Sequence, residues 1–182
     1  MQVDSSSSHG LQRILGNASR LYFAGASYHG RCFNCATPFC CPQFFQSQPT
    51  NKMVNLANEL QGFLIQAKSE AVLRNQSLWV HIQGLSSANA TGNWQLKLTA
   101  SSAANTDPIS LFQGDRYRNI YVEANRVKIK FDHVMGNPQI SGSISIKETA
   151  TDDSLNVSFS NRAGRIRICS ENGVKYGYEQ CE

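Results

Sequence analysis

Residues 51–75 read NKMVNLANELQGFLIQAKSEAVLRN, and this stretch decides the fold. Its apolar residues recur in alternating steps of three and four, which places them on one face of an α-helix. That face comprises Met53, Leu56, Ala57, Leu60, Phe63, Leu64, Ala67, Ala71 and Val72. Thr50 or Asn51 can accept hydrogen bonds from the free N–H groups at the helix start, and Asn75 is suited to ending the helix. The pattern predicts one long amphipathic helix with a single buried face.

The chain after this helix consists of short segments of alternating polarity, separated by Gly, Asn, Asp and Pro. Alternation with a period of two predicts β-strands. The predicted strands are 78–83, 94–99, 120–124, 127–131, 143–147, 155–159 and 165–169. Turn-forming residues are concentrated at 84–92 and 136–142. The sequence therefore predicts an α+β fold in which one long amphipathic helix packs on a mostly antiparallel β-sheet.

The length and composition fit a single domain. The chain has 182 residues, 41% of them hydrophobic, and a formal net charge of +4. The hydrophobic share is too high for a disordered chain, and the charge is too small for a general nucleic-acid packaging protein. As written, the sequence has neither a run of about eighteen apolar residues nor the pattern of a secretory signal. It therefore predicts a chain without a membrane anchor.

Residues 1–50 differ in character from the rest of the chain. They contain a run of serines at 5–8 and no helical or strand periodicity. They also contain four of the six cysteines, which are Cys32, Cys35, Cys40 and Cys41. This part is predicted to be an irregular segment, followed by a folded domain over 51–182.

The cysteine cluster at Cys32, Cys35, Cys40 and Cys41 raises the alternatives of a zinc site or a thiol redox centre. Two of these cysteines are adjacent, no histidine follows at ligand spacing, and no βαβ pattern surrounds the CxxC. The sequence also lacks the G-x-S-x-G, H-E-x-x-H and P-loop motifs. We predict a protein without catalytic activity, metal or cofactor, and keep a Cys-dependent metal or redox protein as the weaker alternative.

Cys169 and Cys181 bracket a glycine- and tyrosine-containing loop at the end of the chain. A disulfide between them would tie the tail to the last predicted strand and stabilise the fold by roughly 3 kcal/mol in the chain-entropy model. Such a bond implies an oxidising, extracytoplasmic compartment. The alternative is a pair of free, buried thiols.

Several motifs resemble those of the GspH/FimT-like proteins, which are minor type IV pilins and type II secretion pseudopilins. NLANEL at 55–60 and AKSEAVLRN at 67–75 are similar to the family's helix wording, "ANEL" and "ARSEAIKRN". IKFDHVMG at 129–136 with GSISI at 142–146 resembles its hairpin region, and GRIRIC at 164–169 its last strand. The resemblance covers about 51–182 and implies a pilin-like globular domain.

The resemblance also implies an N-terminal segment that this sequence, as written, does not show. Family members begin with a short leader, then Gly-Phe-Thr-Leu-x-Glu and roughly twenty apolar residues that anchor the subunit in the membrane. Here the stretch 20–41 occupies the anchor's place, and its first codons, read one nucleotide later, can encode Gly-Phe-Thr-Leu-Gln-Glu. We therefore expect that much of 1–41 is out of frame and that its four cysteines have no function.

The implied function is that of a structural subunit of a type IV pilus or of a type II secretion pseudopilus. The implied partners are other pilins or pseudopilins, together with prepilin peptidase and the inner membrane if the anchor is restored. Methylation of the processed N-terminus, filament priming and DNA uptake follow from the same resemblance, as does a location in the inner membrane, periplasm or pilus. A soluble periplasmic binding module is the alternative.

Basic residues near tyrosines suggest a surface for DNA. The candidates are Arg162, Arg165, Arg167 and Lys175. Strand alternation places Arg165 and Arg167 on one face, with Ile166 and Ile168 on the other. The alternative is an ordinary solvated sheet face, because acidic residues are interleaved at Asp115, Glu123, Asp132, Glu171 and Glu179.

Overall fold

The computed structural model describes residues 48–182, with side chains from Asn51 onward. One helix precedes all the strands, and a 3₁₀ turn at Asp115–Tyr117 follows the third strand. The elements are α1 (Gln48–Leu73), β1 (Leu78–Gln83), β2 (Gln95–Thr99), β3 (Ser110–Gln113), β4 (Tyr121–Ala124), β5 (Lys128–Phe131), β6 (Gly142–Lys147), β7 (Leu155–Phe159) and β8 (Ile166–Ser170). The predicted α+β fold, with one long helix on antiparallel sheet, is confirmed.

Helix α1 buries the predicted face with one exception. The eight other predicted residues are at most 7% exposed, whereas Val72 is 43% exposed. The assignment of Val72 to the buried face was wrong because this last turn packs beside the loop at Gly136 rather than beneath a sheet.

The prediction is confirmed at the C-terminal end of α1 and is wrong at its N-terminal end. The helix ends as expected: Asn75 adopts φ +48°, and the N–H groups of Asn75 and Gln76 donate to the C=O groups of Val72 and Ala71. At the other end α1 already includes Gln48, so Thr50 and Asn51 lie within the helix and do not cap it. Pro49 is compatible with a first turn because its missing N–H would have no partner there.

The strands form two four-stranded sheets where the sequence predicted one. Sheet A has the order β3-β2-β1-β5 and sheet B the order β4-β6-β7-β8. Every pair of neighbouring strands in them is antiparallel. Strand β3 was not predicted, since its four residues, SLFQ, are too few to show a clear alternation.

The core lies between α1 and the inner faces of the two sheets. The helix contacts β1 and β5 of sheet A and β6, β7 and β8 of sheet B. Alternation along each strand directs every second side chain to this core. The buried strand residues include Val80, Leu96, Leu98, Ile129, Phe131, Ile144, Ile146, Leu155, Val157 and Phe159. The other side of each sheet, its outer face, carries mainly polar residues.

The segment before α1 lies outside the described residues. This applies to the cysteines Cys32, Cys35, Cys40 and Cys41 and to the expected change of reading frame, which therefore stay predictions. The domain boundary between residues 50 and 51 also stays a prediction. In the range 48–182, no helix has both the length and the apolar character needed to span a bilayer.

Candidate binding and assembly surfaces

The C-terminal tail is fastened alongside β8. A disulfide joins Cys169 in β8 to Cys181, and their Cα atoms are 5.0 Å apart. The N–H of Ser170 donates to the C=O of Glu179 (2.8 Å), and the N–H of Cys181 donates to the C=O of Ser170 (2.9 Å). The structure thus pairs the same two cysteines as the sequence analysis and attaches the tail to the last strand.

A second attachment lies where the tail leaves β8. The buried hydroxyl of Ser154 donates a 2.6 Å hydrogen bond to Glu171 Oε2, and the Ser154 N–H donates to the same oxygen at 3.3 Å. Because both donors favour the ionised carboxylate, they lower the pKa of Glu171 below its ordinary value of 4.5. The ionised form of Glu171 therefore links the tail to the start of β7.

Replacing Ser154 with alanine is expected to destabilise the domain by about 1 kcal/mol at pH 7. The folded-state pKa of Glu171 lies below its unfolded value, so this contribution is present above the ordinary pKa and is lost as the pH falls through the folded pKa. Chemical denaturation of wild type and Ser154→Ala between pH 7 and pH 3 measures the difference. A difference that stays constant over this range contradicts the assignment.

The four basic residues proposed to bind DNA do not form a single cluster in the structure. Arg165 and Arg167 line a groove of about 310 Å³ that also includes Ser141, Ser158 and Glu182. The Nη1 atom of Arg167 lies 3.6 Å from Glu182 Oε2. We call this site the arginine groove.

The other two candidates flank opposite ends of β7 and β8. Arg162 is exposed in the turn between these strands, three residues before Arg165. Lys175 pairs with Asp153, which precedes the other end of β7. The structure therefore places Arg162 in the turn that leads to Arg165 and Arg167, and Lys175 at the other end of the two strands.

The turn that carries the arginines is held by the helix. Gly164 has φ +58°, and its C=O accepts a 3.1 Å hydrogen bond from Lys68 Nζ. Two turns earlier in the helix, Gln61 Nε2 donates to the C=O of Ile166 (3.1 Å). These contacts fix the position of the β7–β8 turn relative to α1.

An apolar surface lies on the side of the helix that faces away from the core. Ile65, Val72 and Leu73 are 45%, 43% and 80% exposed. Val134 and Met135, in the loop that approaches Val72 at Gly136, are 69% and 68% exposed. The helix residues line a groove of about 540 Å³ that is closed on its other side by Gly164 and Ile166. We call these five side chains the apolar surface.

Sequence reasoning missed this surface because it treated the helix as having one apolar face. Ile65 and Leu73 fall outside the stripe that packs on the sheets, and this departure from the pattern was the available signal. Single exposed apolar residues are ordinary in soluble proteins, whereas a contiguous exposed group marks a site of interaction.

The described residues offer no metal site of their own. Between residues 48 and 182, no group of three or more His, Cys, Asp or Glu side chains is arranged to hold an ion. His81, for example, is 5% exposed, and its Nε2 lies 3.1 Å from both Thr99 Oγ1 and Ser101 O.

One helix packed across two antiparallel sheets, with a tail bonded to the last strand, is a pilin-like globular domain. The chain matches the family of type II transport protein GspH over residues 56–177. It belongs to that family. Family and fold together indicate a minor pilin or pseudopilin of a type IV pilus or a type II secretion system.

Solved structures agree with this fold. The crystal structure of the type IV minor pilin FimU from Pseudomonas aeruginosa strain PAO1, in space group P21, matches with a TM-score of 0.52 and 20% identity, covering 65% of this chain and 89% of that one. The FimU structure in space group P65 matches with a TM-score of 0.46 and 19% identity, covering 62% and 88%. No curated protein matches the chain. At such identities the likeness concerns the fold.

Proposed function

We propose that this protein is a non-catalytic filament subunit that joins neighbouring pilins or pseudopilins through the apolar surface. The observation that carries the proposal is the exposed group formed by Ile65, Val72 and Leu73 of the helix with Val134 and Met135. Family membership supports the choice of partner, because minor pilins and pseudopilins assemble with one another. Burial of such a group against a neighbour is favourable at about 25 cal/mol per Å² of apolar area removed from water.

The proposal predicts that charges on the apolar surface block assembly. Ile65→Glu combined with Leu73→Glu is expected to reduce recovery in the sheared filament fraction of cells expressing the partner pilins by at least about ten-fold, because two buried, unpaired carboxylates oppose docking. Gln66→Glu, at an exposed polar position on the same helix, is the matched control. Equal recovery of the double variant and the control, with thermal unfolding unchanged, would refute the proposal.

We infer that the working subunit also carries the family's membrane anchor. Its processing by prepilin peptidase, its methylation, and its passage through the inner membrane to the periplasm and filament all rest on that segment. Resequencing the gene across codons 1–50 tests this inference. Compensating insertions and deletions that restore Gly-Phe-Thr-Leu-x-Glu and an apolar run support it, while an unaltered reading frame contradicts it.

DNA binding is a second candidate function, favoured by the arginine groove. Arg165 and Arg167 line this groove together with serines that can hydrogen-bond phosphate oxygens, and Arg162 is exposed in the turn before Arg165. The backbone of Gly164 and its contact with Lys68 hold the turn that presents these arginines. Such a site would bind DNA without distinguishing its base sequence.

Replacing Arg165 and Arg167 with alanine is expected to weaken binding of double-stranded DNA by about ten-fold and to reduce the slope of log K against log salt by about two, one for each phosphate contact. Lys175→Ala is the control, since Lys175 already pairs with Asp153 at the other end of β7. Fluorescence anisotropy over a range of salt concentrations measures both quantities. An unchanged slope excludes the arginine groove as the DNA site.

A further inference from the structure

The outer face of sheet A differs in charge from the rest of the molecule. Its four strands, LWVHIQ, QLKLT, SLFQ and KIKF, contain three lysines and no aspartate or glutamate. Lys97, Lys128 and Lys130 alternate with the buried core positions and so lie on the outer face. None of the ion pairs among residues 48–182 involves them. The face is therefore positively charged, with Lys128 exposed and Lys97 and Lys130 half-buried.

The strand register arranges the side chains of this face in rows. Gln83, Gln95 and Gln113 lie opposite one another on β1, β2 and β3, and Gln95 Nε2 donates to Gln83 Oε1 at 2.7 Å. The next row places Lys97 and Lys128 on either side of His81 in β1, and His81 itself is buried beneath the Ser101 backbone. Since neighbouring strands are about 4.8 Å apart, the two rows are offset by one strand and overlap on β1 and β2, where Gln95 borders Lys97.

The row of glutamines opens into a polar cleft at the end of the sheet. The cleft measures about 390 Å³, and its other lining residues include Asn93 and Asp115. Its shape depends on close backbone approaches: a Cβ at Gly92, whose φ is +82°, would come within 2.9 Å of both the Arg118 side chain and the Gly114 carbonyl oxygen. The cleft is thus lined by groups that donate and accept hydrogen bonds, with one carboxylate and one nearby guanidinium.

We propose that the outer face of sheet A binds an acidic polysaccharide, with sugar hydroxyls in the glutamine cleft and carboxylates on Lys97 and Lys128. An amide side chain both donates and accepts, so it can pair with hydroxyl groups, which also do both. The lysine row supplies charge to the acidic groups of the same chain. This proposal is independent of the filament role, because the face lies on sheet A and the apolar surface lies on the helix and the loop at 134–135.

The aromatic residues of this region do not fit a nucleic acid. Single-stranded nucleic acids bind on exposed aromatic rings, where successive bases stack. Here Lys130 Nζ lies over the ring of Trp79, 5.6 Å from its centroid, and Trp94 is only 4% exposed. Hydroxyl and carboxylate groups need no free ring, so the observations favour a polysaccharide.

Calorimetric titration of the full-length protein with oligogalacturonate, a chain of uronic acids, tests the proposal. Its methyl ester keeps the hydroxyl groups but has no charge, and the protein is expected to bind it about ten-fold more weakly. The double variant Lys97→Ala, Lys128→Ala is expected to bind the acid about ten-fold more weakly than wild type does, the equivalent of 1.4 kcal/mol. This loss would abolish the preference for the acid over its methyl ester. Gln113→Ala is expected to weaken binding of both forms alike.

The matched control removes two lysines from elsewhere, by Lys52→Ala and Lys147→Ala, and is expected to retain the wild-type affinity. The proposal is overturned if wild type binds neither oligomer, or if the control weakens binding as much as the Lys97 and Lys128 variant. It is also overturned if single-stranded DNA of equal charge binds more tightly and displaces the uronate, which would assign the face to nucleic acid. Thermal unfolding confirms that each variant is folded.

Discussion

Gly164→Ala is expected to destabilise the domain by about 2–3 kcal/mol. The residue is buried at φ +58°, a conformation that costs an L-residue roughly 1–2 kcal/mol. In addition, a Cβ would come within 2.0 Å of Asn137 Oδ1, so this terminal amide, which also accepts from Lys68 Nζ at 3.4 Å, must turn away at a cost of about 1 kcal/mol. Denaturant unfolding of wild type and variant measures the change in free energy.

Gly173→Ala separates the two causes. Gly173 has a similar φ of +64° but no atom within 4 Å of an added Cβ, so only the backbone cost of about 1 kcal/mol applies. Equal destabilisation by the two substitutions would show that the close approach to Asn137 is unimportant. Because Gly164 carries the turn of the arginine groove, its variant is also expected to bind DNA less well at temperatures where it remains folded.

Removing the disulfide by Cys169→Ser with Cys181→Ser is expected to cost about 3 kcal/mol, or several degrees in the melting temperature. The bond spans a sequence separation of 12, and a closed loop of that size restricts the unfolded chain by about this amount. A reductant acts on all six cysteines of the chain. The double variant therefore isolates the contribution of this one bond.

The free energy of unfolding is measured for wild type and for the double variant, each with and without dithiothreitol. We expect the reductant to destabilise wild type and to leave the double variant unchanged. If reductant destabilises the double variant equally, the stabilising bonds lie among the other four cysteines. In that case the expectation that Cys32, Cys35, Cys40 and Cys41 have no function would also be contradicted.

The sequence predicted the elements that depend on a regular period. The helix stripe from Met53 to Ala71 repeats often enough to be unambiguous, and β1 and β7 show clear alternation. The division into two sheets was not predictable, because it depends on the pairing of β5 with β1 rather than with β4. Strand β3 is short and half-exposed, so its position is set by its pairing with β2.

The candidate sites depended still more on tertiary contacts. The pairing of Cys169 with Cys181 is local in sequence and was anticipated. Lys175 was grouped with the arginines because it lies near them in the chain, but the tail carries it to Asp153 at the other end of β7. The outer face of sheet A brings Lys97 and Lys128, which are about thirty positions apart in the chain, to either side of β1, and no local pattern reports that arrangement.

The covered edge of β8 determines how subunits can join. An edge strand normally offers unpaired N–H and C=O groups to which a strand of another molecule can add. Here Ser170 exchanges both of its hydrogen bonds with the tail, and the C=O of Ile166 accepts from Gln61 of the helix. The tail and the helix therefore obstruct the addition of a strand from another molecule at this edge of sheet B. Reduction of the disulfide would leave the tail held by its hydrogen bonds and its ion pair alone, and would make this edge more accessible.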